Sequence, residues 1–287
     1  QERDFVNEWM ERIHLGIKYK QKFSDCSRWH VWRARYRNEY EEDAALNLDT
    51  YTVNRIFSYI KSSIPRIYFR TPSISVTARR PEFAAHARVV ETLDNWLVLE
   101  TCIKDELKSC ILDAHLTGIG FLKLGYDSEF GFLPGQAVGE NKETVNQYGV
   151  KTGERIEYNT NIQPGMPWVS SVLPEDIITP WGYTKMKSLP WIAHCIIRPV
   201  EDVKQDQKYD QRARLSLKGG FSIPSDKSRA SNLWSNGDKG NYCLLWEVRD
   251  YKRKKILVLC EDRVLMYADD GLQIDGGVYE AIIFNED

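Results

Sequence analysis

Cysteine and histidine side chains bind metals and act as nucleophiles, and a few of them lie close together in this sequence. Cys26 and His30 are four residues apart, and His194 is followed directly by Cys195. A zinc site needs about four such ligands, arranged in pairs with short and matching spacings. Only the first pair has a suitable spacing, so we expect no metal ion. The six cysteines are scattered and form no Cys-x-x-Cys pair, which indicates free thiols in a reducing compartment.

The glycines between residues 118 and 125 look at first like a phosphate-binding loop. Gly118 and Gly120 flank Ile119, and Gly125 follows. Such a loop normally follows a strand and opens a helix. Here the glycines close a predicted helix and open a predicted strand, so we interpret Gly118 as a helix C-cap.

Acid–base chemistry has one obvious candidate, the adjacent pair Glu175 and Asp176. The pair lies between Pro174 and Pro180, and Asp favours turns, so we predict a turn here. Gly-x-Ser-x-Gly, His-Glu-x-x-His and Walker patterns do not occur. We expect no catalytic residue and no cofactor, although a Cys and His pair that meets only in the folded chain stays open.

The charge of the chain is nearly balanced overall but uneven locally. The net charge is −2, which disfavours tight DNA binding by the whole surface. Residues 51–90 nevertheless contain seven Arg or Lys and one acid. This stretch is either a solvated face, a subunit surface opposite acids such as those in residues 39–43, or a phosphate contact. The candidates for a subunit-interface or DNA-facing role are Arg66, Arg70, Arg79 and Arg80.

The first part of the sequence is predicted to be mainly helical. Spacings of three and four predict a first helix with the apolar stripe Val6, Trp9, Met10, Ile13 and Ile17. We predict a second helix over residues 27–45. A third is expected to begin after a cap at Asp49 or Thr50 and to stop at Pro65. Two more fill residues 81–117 with a bend near residue 100, the first burying Phe83, Ala87, Val90, Leu93 and Leu97.

Strands dominate the rest of the sequence. Short alternating segments are predicted at residues 67–70, 74–77, 121–126, 168–173, 191–197, 242–250, 255–260, 264–268 and 279–284. Residues 128–167 are expected to form a long loop or a β-hairpin, and residues 215–241 to be mobile. Helices followed by strands predict an α+β fold, which disfavours a nucleotide-binding Rossmann or P-loop sheet. We divide the chain into a helical region, residues 1–127, and a β-rich region, residues 128–287.

Several of these segments, in this order, resemble bacteriophage portal proteins. The helix with its proline and following strand, the helix–Gly-x-Gly–strand junction, the Pro-x-Asp turn and the Trp-Glu hairpin strand each resemble a portal segment. A strand followed by a short helix and the start of a post-hairpin segment are similar to portal segments as well. All these segments together occupy residues 51–65, 74–77, 113–127, 172–180, 191–204, 245–251 and 283–287. The likeness covers nearly the whole chain, and what makes it specific is the order of the segments.

The resemblance implies the wing of a portal subunit. Portal subunits form a homo-oligomeric ring, commonly of twelve copies, at one vertex of the virion, and assemble in the host cytoplasm. The implied partners are the major capsid protein, terminase, a tail or adaptor protein, and double-stranded DNA without sequence preference. The family has no catalytic residues, and its stem and clip segments would follow residue 287. A run of about 18 apolar residues is absent, so no membrane span is expected.

Two other functions stay open at this point. The second hypothesis is another virion structural protein, such as a head–tail adaptor, although an adaptor is usually smaller and more helical and the β-rich half of this sequence argues against it. A metal-dependent nuclease or phosphoesterase built from scattered acids and histidines is the third possibility.

Overall fold

The computed structural model describes residues 2–22, 28–38, 53–68, 73–127, 140–145, 151–157, 166–183, 185–220, 241–272, 274 and 276–284. The helices are α1 (Glu2–Lys22), α2 (Trp29–Tyr36), α3 (Arg55–Ile67), α4 (Ala84–Glu100), α5 (Ile103–Thr117), α6 (Val200–Gln205) and α7 (Gln211–Leu215). The strands are β1 (Ile119–Asp127), β2 (Glu140–Val145), β3 (Lys151–Glu157), β4 (Met166–Val172), β5 (Ile177–Ile178), β6 (Trp191–Pro199), β7 (Tyr242–Asp250), β8 (Lys255–Cys260), β9 (Arg263–Asp269) and β10 (Tyr279–Ile283). Helices therefore precede a strand-rich part, and the predicted α+β class is confirmed.

The chain divides into two compact units. The larger contains residues 1–123 and 169–287, and the smaller contains residues 124–168. In the smaller unit β2 and β3 form an antiparallel hairpin with an irregularity at Thr144, as one of the two sequence interpretations predicted. The sequence-based boundary between residues 127 and 128 stays a prediction.

An antiparallel sheet of five strands, in the order β5-β6-β7-β8-β9, is the centre of the larger unit. Alternation along β6 sends successive side chains to opposite faces. Trp191 and Ala193 therefore pack with α1 residues such as Trp9, whereas Ile192 packs with Phe121 and its neighbours. The predicted apolar stripe of α1 is therefore confirmed, and it covers one face of the sheet.

The glycine pair at the end of α5 has the structural role that the sequence predicted. Gly118 caps the helix with a φ of 84°, a conformation that favours glycine. A Cβ on Gly120 would lie 2.2 Å from the carbonyl oxygen of Cys110, so the strand starts against the helix backbone.

Three predictions about the helices were wrong. Pro65 lies inside the last turn of α3, which ends at Ile67, so the helix stops two residues after the proline and not at it. Asn54 is the N-cap, and its side chain accepts a hydrogen bond from the N–H of Phe57 at 2.9 Å. Asp49 and Thr50 lie outside the described residues. The predicted second helix is shorter, Trp29–Tyr36, and its acidic end lies outside the described residues.

Candidate assembly surface

Helix α4 exposes a large apolar surface. Val89, Leu93 and Trp96 recur at spacings of four and three residues and therefore share one side of the helix. Their exposed fractions are 66%, 50% and 47%, and Leu99 next to them is 68% exposed. All residues of α4 are described, and Ala87 alone is fully buried. We call Val89, Leu93, Trp96 and Leu99 the α4 stripe.

The buried face of α4 was predicted incorrectly. Phe83 and Leu93, which the sequence placed on that face, are 54% and 50% exposed. The apolar residues of α4 surround most of the helix, so their periodicity does not identify the side that faces the core. Val89 and Trp96 fell outside the predicted stripe, and that excess of apolar residues was the available signal for a second contact surface.

An extended segment, residues 73–78, forms hydrogen bonds with side chains of α4 that are not part of the stripe. The N–H of Ile74 donates to Asn95 Oδ1 at 2.9 Å, and Asn95 Nδ2 donates to the Ile74 carbonyl at 2.8 Å. The N–H of Val76 donates to a carboxylate oxygen of Glu91 at 3.1 Å. Side chains of α4 thus replace a neighbouring strand. The predicted strand at residues 74–77 is extended but pairs with no strand among the described residues.

Three of the four arginines that the sequence singled out lie within the described residues. Arg66 is exposed in the last turn of α3, and Arg79 and Arg80 are exposed directly before the 3-10 turn that leads into α4. Arg70 lies outside the described residues. Among the described residues, the side chains of these three arginines have no ion-pair or hydrogen-bond partner.

Arg33 joins three elements of the larger unit. From α2 it donates to both carboxylate oxygens of Glu175, at 2.7 and 3.0 Å, and to Asp113 of α5 at 2.7 Å. Burial opposes the charge, but the hydrogen bonds and charges of Glu175 and Asp113 raise the pKa of Arg33. Glu175 lies in a 3-10 turn, Pro174–Asp176, so the predicted turn is confirmed, and its acid serves an ion pair.

Lys20 of α1 binds the same turn. Its ammonium group donates to the carbonyl oxygens of Glu175 and Ile177, at 2.7 and 2.9 Å, and also to that of Pro174. Backbone acceptors at the start of β5 are thereby satisfied by a side chain from α1. Lys20 and Arg33 together join the first two helices to the edge of the five-stranded sheet.

A second cluster of charges is buried beside the central sheet. Lys123 pairs with Glu247 at 2.7 Å, and Arg249 pairs with Glu247 at 3.2 Å and with Asp270. Burial opposes ionisation of Glu247, but the charges of Lys123 and Arg249 lower its pKa to about 2. Burial and the charge of Lys123 lower the pKa of His194 to about 4. An acid or base catalyst works best with a pKa near the working pH, so these groups suit a structural role at neutral pH.

The cysteine and histidine positions give no metal centre in the part of the chain that is described. No group of three His, Cys, Asp or Glu side chains there could hold a metal ion. Cys110 is fully buried, as predicted, while Cys102 is exposed. Cys26 lies outside the described residues, so the absence of a metal ion at Cys26 and His30 stays a prediction.

Comparison with known proteins identifies no family for this chain. No family model matches it, and none of the curated proteins matches it. Among the described helices, none has the length and apolar composition required to cross a membrane.

Proposed function

We propose that the chain is a structural subunit that assembles side by side with copies of itself, as the wing of a bacteriophage portal ring. Such a ring conducts double-stranded DNA at one capsid vertex during packaging and ejection, and it binds terminase and the tail. The proposal treats the chain as a protein without catalytic activity of its own. The observation that carries it is the exposed α4 stripe.

The size of the α4 stripe supports a protein partner. Soluble monomers rarely expose contiguous apolar patches larger than a few hundred Å². Burying a Leu or Val side chain completely contributes about 1.5–3 kcal/mol, and the four members of the stripe are each about half exposed or more. Covering them would contribute several kcal/mol to the free energy of association at each interface, which offsets part of the entropy lost on association.

Cyclic assembly also fits the charges around the stripe. Each subunit of a ring presents one face to a different face of its neighbour. Arg66 at the end of α3 and Arg79 and Arg80 before the turn that leads into α4 supply exposed positive charge, and such charges fix the register of an interface. The near-neutral total charge suits a conduit, because each tight phosphate contact would have to break whenever DNA moved.

A pair of substitutions in α4 tests this proposal. Leu93→Glu with Trp96→Glu places charges in the stripe and is expected to convert oligomers into monomers in light scattering after size-exclusion chromatography. Leu215→Glu with Ile197→Glu is the matched control, since both residues are exposed, at 58% and 43%, and lie outside the stripe. Far-UV circular dichroism checks that both variants fold.

The outcomes separate the candidate functions. Loss of oligomers in the stripe variant alone supports assembly through α4. A wild-type chain that stays monomeric at all concentrations, or a stripe variant that assembles normally, contradicts the proposal.

A further inference from the structure

The extended segment of residues 73–78 has one edge bound to α4 and one edge open. Along an extended chain, the N–H and C=O groups of successive residues point to opposite edges. Those of Ile74 and the N–H of Val76 point to α4, where side chains of the helix bind them. Ser75 and Thr77 therefore direct their backbone groups away from the helix. We call this side of the segment the open edge.

The open edge has no partner within the described part of the chain. The backbone groups of Ser75 and Thr77 form no hydrogen bond with any described residue, and both residues are exposed. Residues 73 to 78 alternate between exposed and half-buried, as expected of a strand that lies with one face against the protein. Unpaired backbone groups along such an edge are a template for another strand.

Helix α4 orders the segment before any partner binds. The Asn95 side chain accepts from the N–H of Ile74 and donates to its carbonyl, as a residue of a neighbouring strand would. Asn95 also donates to the carbonyl of Glu91 at 2.7 Å, which fixes the amide on its own helix. A segment that is already extended loses less conformational entropy when it pairs.

Positive charge marks one end of the open edge. Arg79 and Arg80 follow the segment directly, and both are exposed. Arg80 has an extended backbone. Glu82 is the one acid in residues 73–90, so the two arginines leave an excess of positive charge at this end. Charge complementarity therefore favours a partner with acidic residues there.

We propose that the open edge binds an extended acidic peptide segment of another protein as an added antiparallel strand. Backbone hydrogen bonds at Ser75 and Thr77 give the affinity, and Arg79 and Arg80 select the acidic end of the peptide. Antiparallel pairing is slightly more stable per residue than parallel pairing. It places the first residues of the peptide beside the two arginines, so the acids precede its strand. The site is separate from the α4 stripe and does not depend on ring assembly.

Synthetic peptides test the proposal without altering the protein. The probe is fluorescein-labelled Asp-Asp-Val-Thr-Val-Thr-Val with blocked ends, and its binding to the wild-type chain is measured by fluorescence anisotropy. A peptide with lysines in place of the aspartates should bind about tenfold more weakly. Two further peptides carry backbone N-methyl groups on alternate residues, one in each register. We expect one register to prevent binding and the other to bind like the probe, because alternate N–H groups of an added strand point away from its partner.

A pair of proline substitutions tests the protein side of the contact. Ser75→Pro with Thr77→Pro removes the two outward N–H donors, and proline is compatible with an extended edge. The hydrogen bonds of Ile74 and Val76 with α4 stay possible. Ser75→Ala with Thr77→Ala is the matched control, since alanine keeps both N–H groups. We expect the proline pair to bind the probe at least about tenfold more weakly and the alanine pair to bind like the wild type. Far-UV circular dichroism checks that both variants fold.

Several results would overturn the proposal. A wild-type chain that does not bind the probe would do so, as would equal binding of the two N-methylated peptides or equal affinities of the proline and alanine pairs. Oligomers that form normally while no probe binds would reject the open edge as a binding site and leave the assembly proposal intact.

Discussion

The guanidinium group of Arg33 meets the carboxylate of Glu175 with two parallel hydrogen bonds, Nε to Oε1 at 2.7 Å and Nη2 to Oε2 at 3.0 Å. This planar arrangement suits arginine and cannot be reproduced by lysine. The third contact, to Asp113, makes Arg33 a bridge among α2, α5 and the turn before β5. Helix α5, which packs against α4, is thereby tied to the turn at the edge of the sheet.

Removing Arg33 should destabilise the fold strongly. Arg33→Ala leaves Asp113, which is 6% exposed, as a buried carboxylate without its arginine, and we expect a loss of about 3 kcal/mol in the free energy of unfolding. Arg33→Lys should recover only part of it. Arg35→Ala, an exposed arginine on the same helix whose guanidinium lies over Trp32, should cost less than about 1 kcal/mol. Urea unfolding measures all three, and equal losses for Arg33→Ala and Arg35→Ala would refute the bridge.

Mild acid should destabilise the protein through His194. Its pKa is lowered to about 4 in the folded state, so below its ordinary value of about 6.5 the unfolded state binds a proton that the folded state does not. Above about pH 6.5 His194 does not change the free energy of unfolding with pH. That free energy falls as the pH drops from about 6.5 towards 4. Glu247 has its pKa lowered to about 2, so it loses its contribution only below about pH 4.5.

The histidine effect can be isolated between pH 7 and pH 5. Wild type should lose about 2 kcal/mol over this interval because of His194, and His194→Phe should remove that part of the loss. His14→Gln, a substitution of an exposed histidine on α1, should leave the pH dependence as in the wild type. If His194→Phe shows the wild-type slope in urea titrations, the histidine is not buried in its neutral form.

Charge reversal near α4 should weaken assembly. Arg79→Glu with Arg80→Glu reverses two exposed charges that lack partners within the described part of the chain, and we expect a lower oligomer fraction that depends on salt. Arg66→Glu and Arg70→Glu are expected to act in the same direction. Native mass spectrometry measures the oligomers, with Arg212→Glu and Lys218→Glu as the control. An unchanged oligomer size would count against a role for these arginines.

Local patterns predicted the elements that have strong local signals. The stripe of α1, the cap at Gly118, the turn at Pro174 and the strands β7 and β8 were all correct. Each of these depends on residues adjacent in sequence or one helical turn apart. The same reasoning failed at Pro65, where the position within the last turn decided the outcome.

The candidate assembly surface depends on contacts between residues that are far apart in the sequence, and local patterns do not predict such contacts. Arg33 binds partners 80 and 142 residues away, and no periodicity indicates which acids these are. Asn95 and Glu91 bind an extended segment instead of a strand partner, so alternation alone predicted a strand. Leu93 is exposed because the rest of the fold covers a different side of α4. Apolar spacing alone does not determine which side is covered.

Negative-stain imaging of the purified wild-type chain tests side-by-side assembly most directly. We predict closed rings of uniform size with a central opening, and loss of those rings in the variant with Leu93→Glu and Trp96→Glu. A field of single monomers at concentrations of tens of micromolar, or rings that persist unchanged in that variant, would contradict it.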